Sequence, residues 1–390
     1  MNIDAIQDRL QQERFDGWLF FDHHQRDPLA YGVLGFSPRR HVTRRWYYFI
    51  PANGAPTGLV HRIESGMLDS LPGQRIEYSS WAEQVHGLGV LLKGSKRIAM
   101  QYSPECRIPY VSMVDGGTIE LVRQQGVEIA SSAELIQFFE ARIDLEGFES
   151  HLEAGRRVDQ IRAAAFKMIG ERLRSGTPVD ELGVKHFILE EFSRQRLFAD
   201  HGPIVGVNAN AASPHYEPES GHSSPIRDGD FVLLDMWAKL DVPGAIYYDI
   251  TWTGFCGANP PASMVRVFNI VREARDRAIH RVKSAIAAGE PLRGFEVDDA
   301  ARSHIDSEGF GDRFTHRTGH SIGQEVHGSG ANMDNLETHD ERKLIPWTCF
   351  SIEPGIYLDS FGVRSEVNMF IDDTSARVTG ELQEKLVLVQ

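Results

Sequence analysis

The chain has 390 residues, room for roughly two to three domains, and its 41% apolar and 25% charged residues are those of an ordinary folded protein, which excludes disorder and fibrous repeats. Asp and Glu outnumber Lys and Arg by 55 to 41, a formal charge of −14, so the chain as a whole repels phosphate backbones and anionic lipid; neither nucleic acid nor a membrane is an expected partner. No run approaches the roughly 18 apolar residues of a membrane span, and Met1 to Arg14 hold no hydrophobic signal core, so a cytoplasmic protein is expected.

In chain order, Ile3 to Arg14 reads as a short amphipathic helix and Gly17 to Phe21 as a strand. Arg45 to Ile50 and Thr57 to His61 make a strand pair over the Pro51-Ala52-Asn53-Gly54 turn, and Arg97 to Tyr102 is a further strand. Ser132 is placed to cap a helix running to Ile143. This alternation predicts a small α/β domain over residues 1–145. Its His23, His24 and basic cluster of Arg39, Arg40, Arg44 and Arg45 have no spacing that specifies chemistry and read as surface or interface groups. The charged stretch Asp144 to Glu149 is the expected boundary.

Beyond it, a long helix with apolar positions Val158, Ile161, Ala165 and Met168 stops at Gly176, and Thr177-Pro178 is expected to cap a second helix carrying Val184, Ile188 and Phe192. Phe231 to Leu234 is a strand running into Asp235. A Pro243-Gly244 turn then reverses the chain, and Tyr247 to Thr253 returns with Asp249 inside it. The same order then recurs. A helix from Ala262 stops at Gly289, a shorter one with Val297, Ala301 and Ile305 stops at Gly309, Phe350 to Ile352 runs into Glu353, and Gly362 to Phe370 returns with Glu366 inside it. Residues 150–390 are therefore two related halves, each with two helices and a strand hairpin bearing one carboxylate per arm. Cys106, Cys256 and Cys349 are scattered singly, which points to ordinary thiols and not to a disulfide framework or zinc knuckle.

An acid at the end of an apolar strand is costly to bury unless something positive compensates it, and four in matched pairs point to a cation. The segment His316-Arg317-Thr318-Gly319-His320 adds imidazoles, but its glycine argues against a helix, so a strand or turn presenting one ligand is expected. One imidazole with four carboxylates is a mostly oxygen shell, which suits Mn2+, with Fe2+, Co2+ or Zn2+ close behind; acids bridging two ions would explain why so many anions gather. His215 in the first half occupies the slot of His327 in the second.

The stretches Leu233-Leu234-Asp235, Tyr248-Asp249-Ile250-Thr251, His316 to Gly323, Val326-His327, Ser351-Ile352-Glu353-Pro354-Gly355-Ile356-Tyr357 and Val363-Arg364-Ser365-Glu366 together resemble the pita-bread metallopeptidases: prolidase, aminopeptidase P, methionine aminopeptidase and the related creatinase. The resemblance covers residues 150–390. It implies an α/β (α+β) protein whose pita-bread catalytic domain has a pseudo-twofold internal repeat and follows a smaller amino-terminal α/β domain of creatinase type. It implies Asp235 on one metal, His320 and Glu353 on the other, and Asp249 and Glu366 bridging both. His215 and His327 would face the substrate, His316 would lie near it, and Arg364 would orient Glu366. Three residues depart from the family pattern. Trp252 stands where arginine is usual, and Gln324 and Gly328 replace a common apolar residue and a common acid; the first hairpin is also about three residues longer than usual.

The implied activity is hydrolysis of Xaa-Pro bonds in short proline-containing peptides by a hydroxide bridging two divalent ions, Mn2+ foremost, in a homodimer. Glu353 would handle the water proton, and His327 and His215 would stabilise the oxyanion and protonate the leaving nitrogen. Tyr216, Trp237, Trp252 and Trp347 are candidate walls of an apolar slot for proline. Two other readings share the fold: a nonpeptide hydrolase or lyase, and a catalytically inactive peptide-binding module.

Overall fold

In a computed structural model of the chain, residues 1–36 and 41–390 are described. They form two compact units, Met1–Glu140 and Ala141–Gln390. Among the described residues no helix is long and apolar enough to cross a membrane.

The first unit is built on one mixed sheet of six strands, β1 Gly17–Asp22, β2 Trp46–Pro51, β3 Thr57–His61, β4 Gln74–Tyr78, β5 Arg97–Met100 and β6 Glu128–Ser131, in the order β4-β3-β2-β1-β5-β6. The central strands are apolar on both faces because both faces are covered. Trp18, Phe20, Trp46 and Tyr48 pack on one side with α1 Ile3–Gln12 and α2 Pro28–Leu34; Leu19, Phe21, Tyr47 and Phe49 pack on the other with α3 Trp81–Leu91 and α4 Gly116–Arg123. His23, Arg26, Arg44, Arg45 and Trp81 line a cleft of about 620 Å³ in this unit. Arg39 and Arg40 of the predicted basic cluster lie outside the described residues. Two expectations need correction. Ser132 makes no capping hydrogen bond, and the predicted helix is a single α turn, α5 Ala133–Ile136, that widens into a π-helical turn over Gln137–Ala141. The two units divide between Glu140 and Ala141, just before the charged stretch at residues 144–149, where Asp144 accepts from Gly147 N–H and starts a long helix, α6 Leu145–Ser175, so the acids sit favourably at its amino end.

α6 ends at Gly176 in the left-handed conformation that closes a helix without a Cβ penalty. α7 Glu181–Arg194 is capped by Asp180, whose carboxylate accepts from Gly183 N–H, and not by Thr177-Pro178. These two helices cover the outer face of a sheet formed by β7 Leu197–Phe198, β8 Ile204–Val207, β9 Phe231–Leu240, β10 Tyr248–Cys256 and the late strand β17 Val387–Val389. Strand alternation decides which side chains go where. Val232, Leu234, Met236 and Ile250 join the α6–α7 core, whereas Phe231 and Leu233 face the second half.

The second half repeats the plan. α8 Ala262–Ala288 and α9 Gly294–Ser307 cover the sheet of β11 Ser321–Ile322, β12 Thr348–Ile352, β15 Val367–Ile371 and β16 Ala376–Thr379, and Phe350, Ile352, Val367 and Met369 point into that core. The predicted single return strand from Gly362 to Phe370 is broken: β13 Gly355–Tyr357 and β14 Gly362–Arg364 form a separate small hairpin, and Glu366 lies between β14 and β15. The two halves are joined by polar bonds. Asn368 accepts from Asp249 N–H at 2.9 Å and donates back to the Asp249 carbonyl, and Glu366 N–H donates to Thr251 O at 3.1 Å.

Gly319 presses the segment bearing His320, just before β11, onto β12: a Cβ there would lie 2.0 Å from the carbonyl oxygen of Ser351. Backbone cannot yield as a flexible side chain would. Gly319→Ala should therefore lower folding stability by about 1–3 kcal/mol, read as a fall in the denaturant midpoint; an unchanged midpoint would refute this close packing.

Candidate metal centre

The paired register of β9 and β10 sets Asp249 opposite Trp237 and Asp235 opposite Thr251, all on the face turned away from α6 and α7. Ile352 pairs with Val367, so Glu353 and Glu366 flank the next position of the second hairpin. His320 is held against β12 by its own N–H, which donates to Ser351 Oγ at 3.0 Å. The structure brings all five predicted ligands together. Asp249, His320 and Glu366 each offer an atom within 4.8 Å of the others. His320 Nε2 lies 3.5 Å from Asp249 Oδ2 and 3.4 Å from Glu353 Oε1, and Asp235 is ion-paired with Arg364 Nη2.

Burial dominates the electrostatics. It pushes Asp235 up to about 6 and Asp249 up to about 7, against the partial relief given by Arg364. Glu353 is also raised, and Glu366 is pushed well above the carboxylate range by burial and by the neighbouring charges of Asp249 and Glu353. Burial lowers His320, which keeps it neutral near pH 7. Its Nδ1 is 3.1 Å from Ser321 O, so the tautomer that donates there leaves a lone pair on Nε2 aimed at carboxylate oxygens. Asp249 Oδ1 and Glu366 Oε1 are buried without a hydrogen-bond partner. A lone pair and two unpartnered carboxylate oxygens pointing at one another repel unless a cation lies between them. The donor set fits hard or borderline divalent ions.

The surrounding residues fall into place with two adjustments. Arg364 does not orient Glu366 directly. Its Nη2 pairs with Asp235 and its Nε donates to Thr251 Oγ1 at 3.0 Å, and it is Thr251 Oγ1 that donates to Glu366 Oε2 at 2.8 Å. His316 has both ring nitrogens engaged, at 2.7 Å from Arg317 O and 2.6 Å from Tyr357 Oη; Tyr357 also accepts from Arg364 Nη1 at 3.2 Å, so His316 braces the arginine from behind. His327 meets His320 edge to face with ring centroids 4.4 Å apart, and it is pushed down to about 3 because protonating it would set like charge beside the His320 ring and because it is buried. His215 is exposed.

Of the four aromatic walls suggested by sequence, Trp237 alone lies beside the cluster, opposite Asp249. Trp252 belongs to the other face of β10: Arg162 stacks over its ring at 3.4 Å, against the α6 core. Tyr216 is turned toward Glu181, and Trp347 packs on Phe370 and donates to Asp373. Gly328 is also explained, since a Cβ there would lie 2.9 Å from Ser321 Oγ and 3.1 Å from Gly323 N, leaving no room for an acid. Sequence reasoning missed Thr251, Tyr357, Ser351 and Asn368, which hold the ligands in place. Thr251 and Ser351 share the strand faces of Asp249 and Glu353, a period-two signal that was available.

A family model described as metallopeptidase family M24 matches residues 149–373, more than half of the chain. An Xaa-Pro dipeptidase of Lactobacillus delbrueckii subsp. lactis is 32% identical over 231 residues, 58% of this chain and 58% of that one. An Xaa-Pro dipeptidase of Lactobacillus helveticus is 31% identical over 205 residues, 52% of this chain and 50% of that one. The chain spans about half the length of the curated relatives it matches. Among solved structures, dipeptidase PepE from Mycobacterium ulcerans aligns with a TM-score of 0.71 over 99% of this chain and 96% of that one at 22% identity. The prolidase from Thermococcus sibiricus aligns with a TM-score of 0.62 over 99% and 98% at 23% identity. These structural likenesses establish the pita-bread fold expected from the sequence.

Protons and metal ions compete for this cluster. Added Mn2+ should raise the thermal midpoint of the metal-free chain, and by more at about pH 8 than at about pH 5, because below about 7 the ion must displace protons from Asp249 and below about 6 from Asp235. A carboxyl whose folded pKa is raised costs stability progressively as pH rises from its ordinary value of about 4, and the cost is complete above the raised value. Asp249→Asn should therefore raise the metal-free midpoint at about pH 8 relative to wild type while removing most of the Mn2+ response. Differential scanning calorimetry reads both; an equal metal response at both pH values would contradict the assignment.

Proposed function

The chain belongs to metallopeptidase family M24, whose members use divalent metal ions, and from that premise we propose that it is a dinuclear metal-dependent Xaa-Pro peptidase, a dipeptidase ahead of an aminopeptidase. The observation that carries this reading is the neutral His320 lone pair and the unpartnered oxygens of Asp249 and Glu366 converging on one point. The proposed ligands are Asp235, Asp249, His320, Glu353 and Glu366. Two such ions are the natural complement to four carboxylates that have Arg364 as the guanidinium within ion-pair distance among the described residues. An oxygen-rich shell favours Mn2+.

Bound ions would supply a water of lowered pKa and polarise the scissile carbonyl. The remaining work falls to the chain. Glu353, with a raised pKa, holds the proton of the attacking water on its carboxylate and passes it to the leaving nitrogen. His327 donates to the oxygen on which negative charge develops, and the exposed imidazole of His215 approaches from the same side. Arg364, braced by Tyr357 and His316, fixes Asp235 and Thr251, and through Thr251 it fixes Glu366. A peptide nitrogen belonging to proline carries no N–H, so recognition of an Xaa-Pro bond must come from shape around the ring and from contacts to the carbonyl. Xaa-Pro dipeptidases among the relatives support that choice of substrate.

Metal-loaded protein should release proline from Xaa-Pro dipeptides, and faster than it removes the first residue of longer Xaa-Pro peptides. Amino-acid analysis of a peptide panel with Mn2+, Co2+, Zn2+ and Fe2+ tests this, and no hydrolysis under any of them would overturn it. His327→Ala should lower kcat by about 100-fold or more with a smaller effect on KM, as expected for a donor needed mainly in the transition state.

A further inference from the structure

Asp200 lies in the bend that follows β7, between the two strands that edge the first sheet, and its side chain is one-third exposed, at 33%. Its position is fixed from the metal side. Trp237, directly opposite Asp249 on the neighbouring strand, donates its indole N–H to Asp200 Oδ1 at 3.1 Å. Tyr247, two residues before Asp249 and on the same strand face, donates its hydroxyl to the same oxygen at 3.4 Å, and His201 N–H donates to it at 3.0 Å. Three donors thus converge on Oδ1. Oδ2 has a different environment: its neighbour is His201 Nδ1 at 3.2 Å, on a side chain that is 77% exposed.

The carboxylate has no lysine or arginine within ion-pair distance among the described residues. Lys239, the nearby cation, is turned over the rings of Phe198 and Tyr247 and donates to the Gln324 carbonyl. Although partial burial works the other way, hydrogen bonds from Trp237 and His201 hold the Asp200 carboxyl below its ordinary value, so it is ionised near neutral pH. Its charge is felt on both sides, since it raises the pKa of Asp249 and also acts on His327. The indole anchor holds Asp200 beside the ligand cluster and out of it.

We propose that Asp200 is a specificity-determining residue whose Oδ2, met within the chain by the exposed His201 ring, receives a cationic nitrogen of the bound peptide next to the scissile bond. This rests on the peptidase reading above. Two groups have that chemistry, the α-ammonium of the residue preceding the cleaved bond and the side chain of a lysine or arginine at that position. An ionised carboxylate anchored by three donors, with no lysine or arginine upon it among the described residues and only the 77% exposed His201 ring to displace, is preorganised for either.

The test separates binding from catalysis. Metal-loaded wild type and Asp200→Asn are titrated calorimetrically with L-leucinamide, N-acetyl-L-leucinamide and L-argininamide. If the α-ammonium is the partner, Asp200→Asn weakens L-leucinamide about tenfold and leaves the N-acetyl form unaffected; if a basic side chain is the partner, the loss is confined to L-argininamide. Asp200→Glu, which keeps the charge, should recover part of the affinity. With Xaa-Pro dipeptides Asp200→Asn should raise KM by about tenfold with a smaller change in kcat. Unchanged affinity for both amides overturns the proposal, as does an equal fall in kcat for every substrate, which would mean that Asp200 only positions Trp237. Wild type that binds the amides through Asp200 but hydrolyses no Xaa-Pro peptide would overturn the peptidase reading and leave this one standing.

Discussion

Three buried carboxylates and the partly buried Glu353, with Arg364 as the guanidinium that meets them among the described residues, are the constraint around which the second unit is organised. Carboxylates at such depth are tolerated only where opposite charge or dense hydrogen bonding compensates them. The chain provides the hydrogen bonding at the seam itself. Asn368 takes both backbone groups of Asp249, Thr251 bridges Arg364 and Glu366, and Gln383 takes both backbone groups of Thr253. The halves are therefore sewn together by polar contacts at the place where a divalent cation would do most to relieve repulsion. Ligand geometry and the joining of the two halves are one problem with one solution.

Apolar packing is densest on the outer faces, although Phe231, Leu233 and Tyr247 also carry it across to the second half. α6 and α7 cover one sheet and α8 and α9 the other, each pair holding alternate residues of the strands beneath it. A strand gripped in that way presents its remaining residues in fixed directions, which is how Asp249 and Thr251, or Ser351 and Glu353, arrive on the same side. Rigid elements with well-packed outer faces are what a metal site needs, since small displacements of the ligands change affinity and reactivity.

The helices and first hairpin were legible because their signals are local. Apolar positions at helical spacing and glycines 176 and 289 mark α6 and α8 without any knowledge of the rest of the chain. The five ligands were legible as types in matched positions. What could not be read depended on partners distant in sequence. Asp144 and Asp180 look like any surface acids until the helix they cap is in place. Asn368 looks like an ordinary strand residue, and its two bonds to Asp249 exist only after the halves have met. The direct partner of Arg364 was misjudged for the same reason: Glu366 is two residues away in sequence, but the strand break at Ser365 aims the guanidinium at Asp235 in the opposite half.

Two of the departures from the family pattern, Trp252 and Gly328, follow from this geometry. Position 252 faces α6, where Arg162 already supplies a buried guanidinium paired with Glu381, so an arginine at 252 would set like charge against like. A flat indole under Arg162 keeps that charge and adds a cation–π contact. Gly328 is required by the close approach of Ser321 and Gly323. Neither residue touches a ligand atom. The side chains that border the cluster without belonging to it form an edge of Trp237, Tyr247, Asp200 and His327. Asp200 ties Trp237 and Tyr247 together by hydrogen bonds while both rings also pack with Phe148 and Phe370, so polar contacts and apolar packing anchor that edge together.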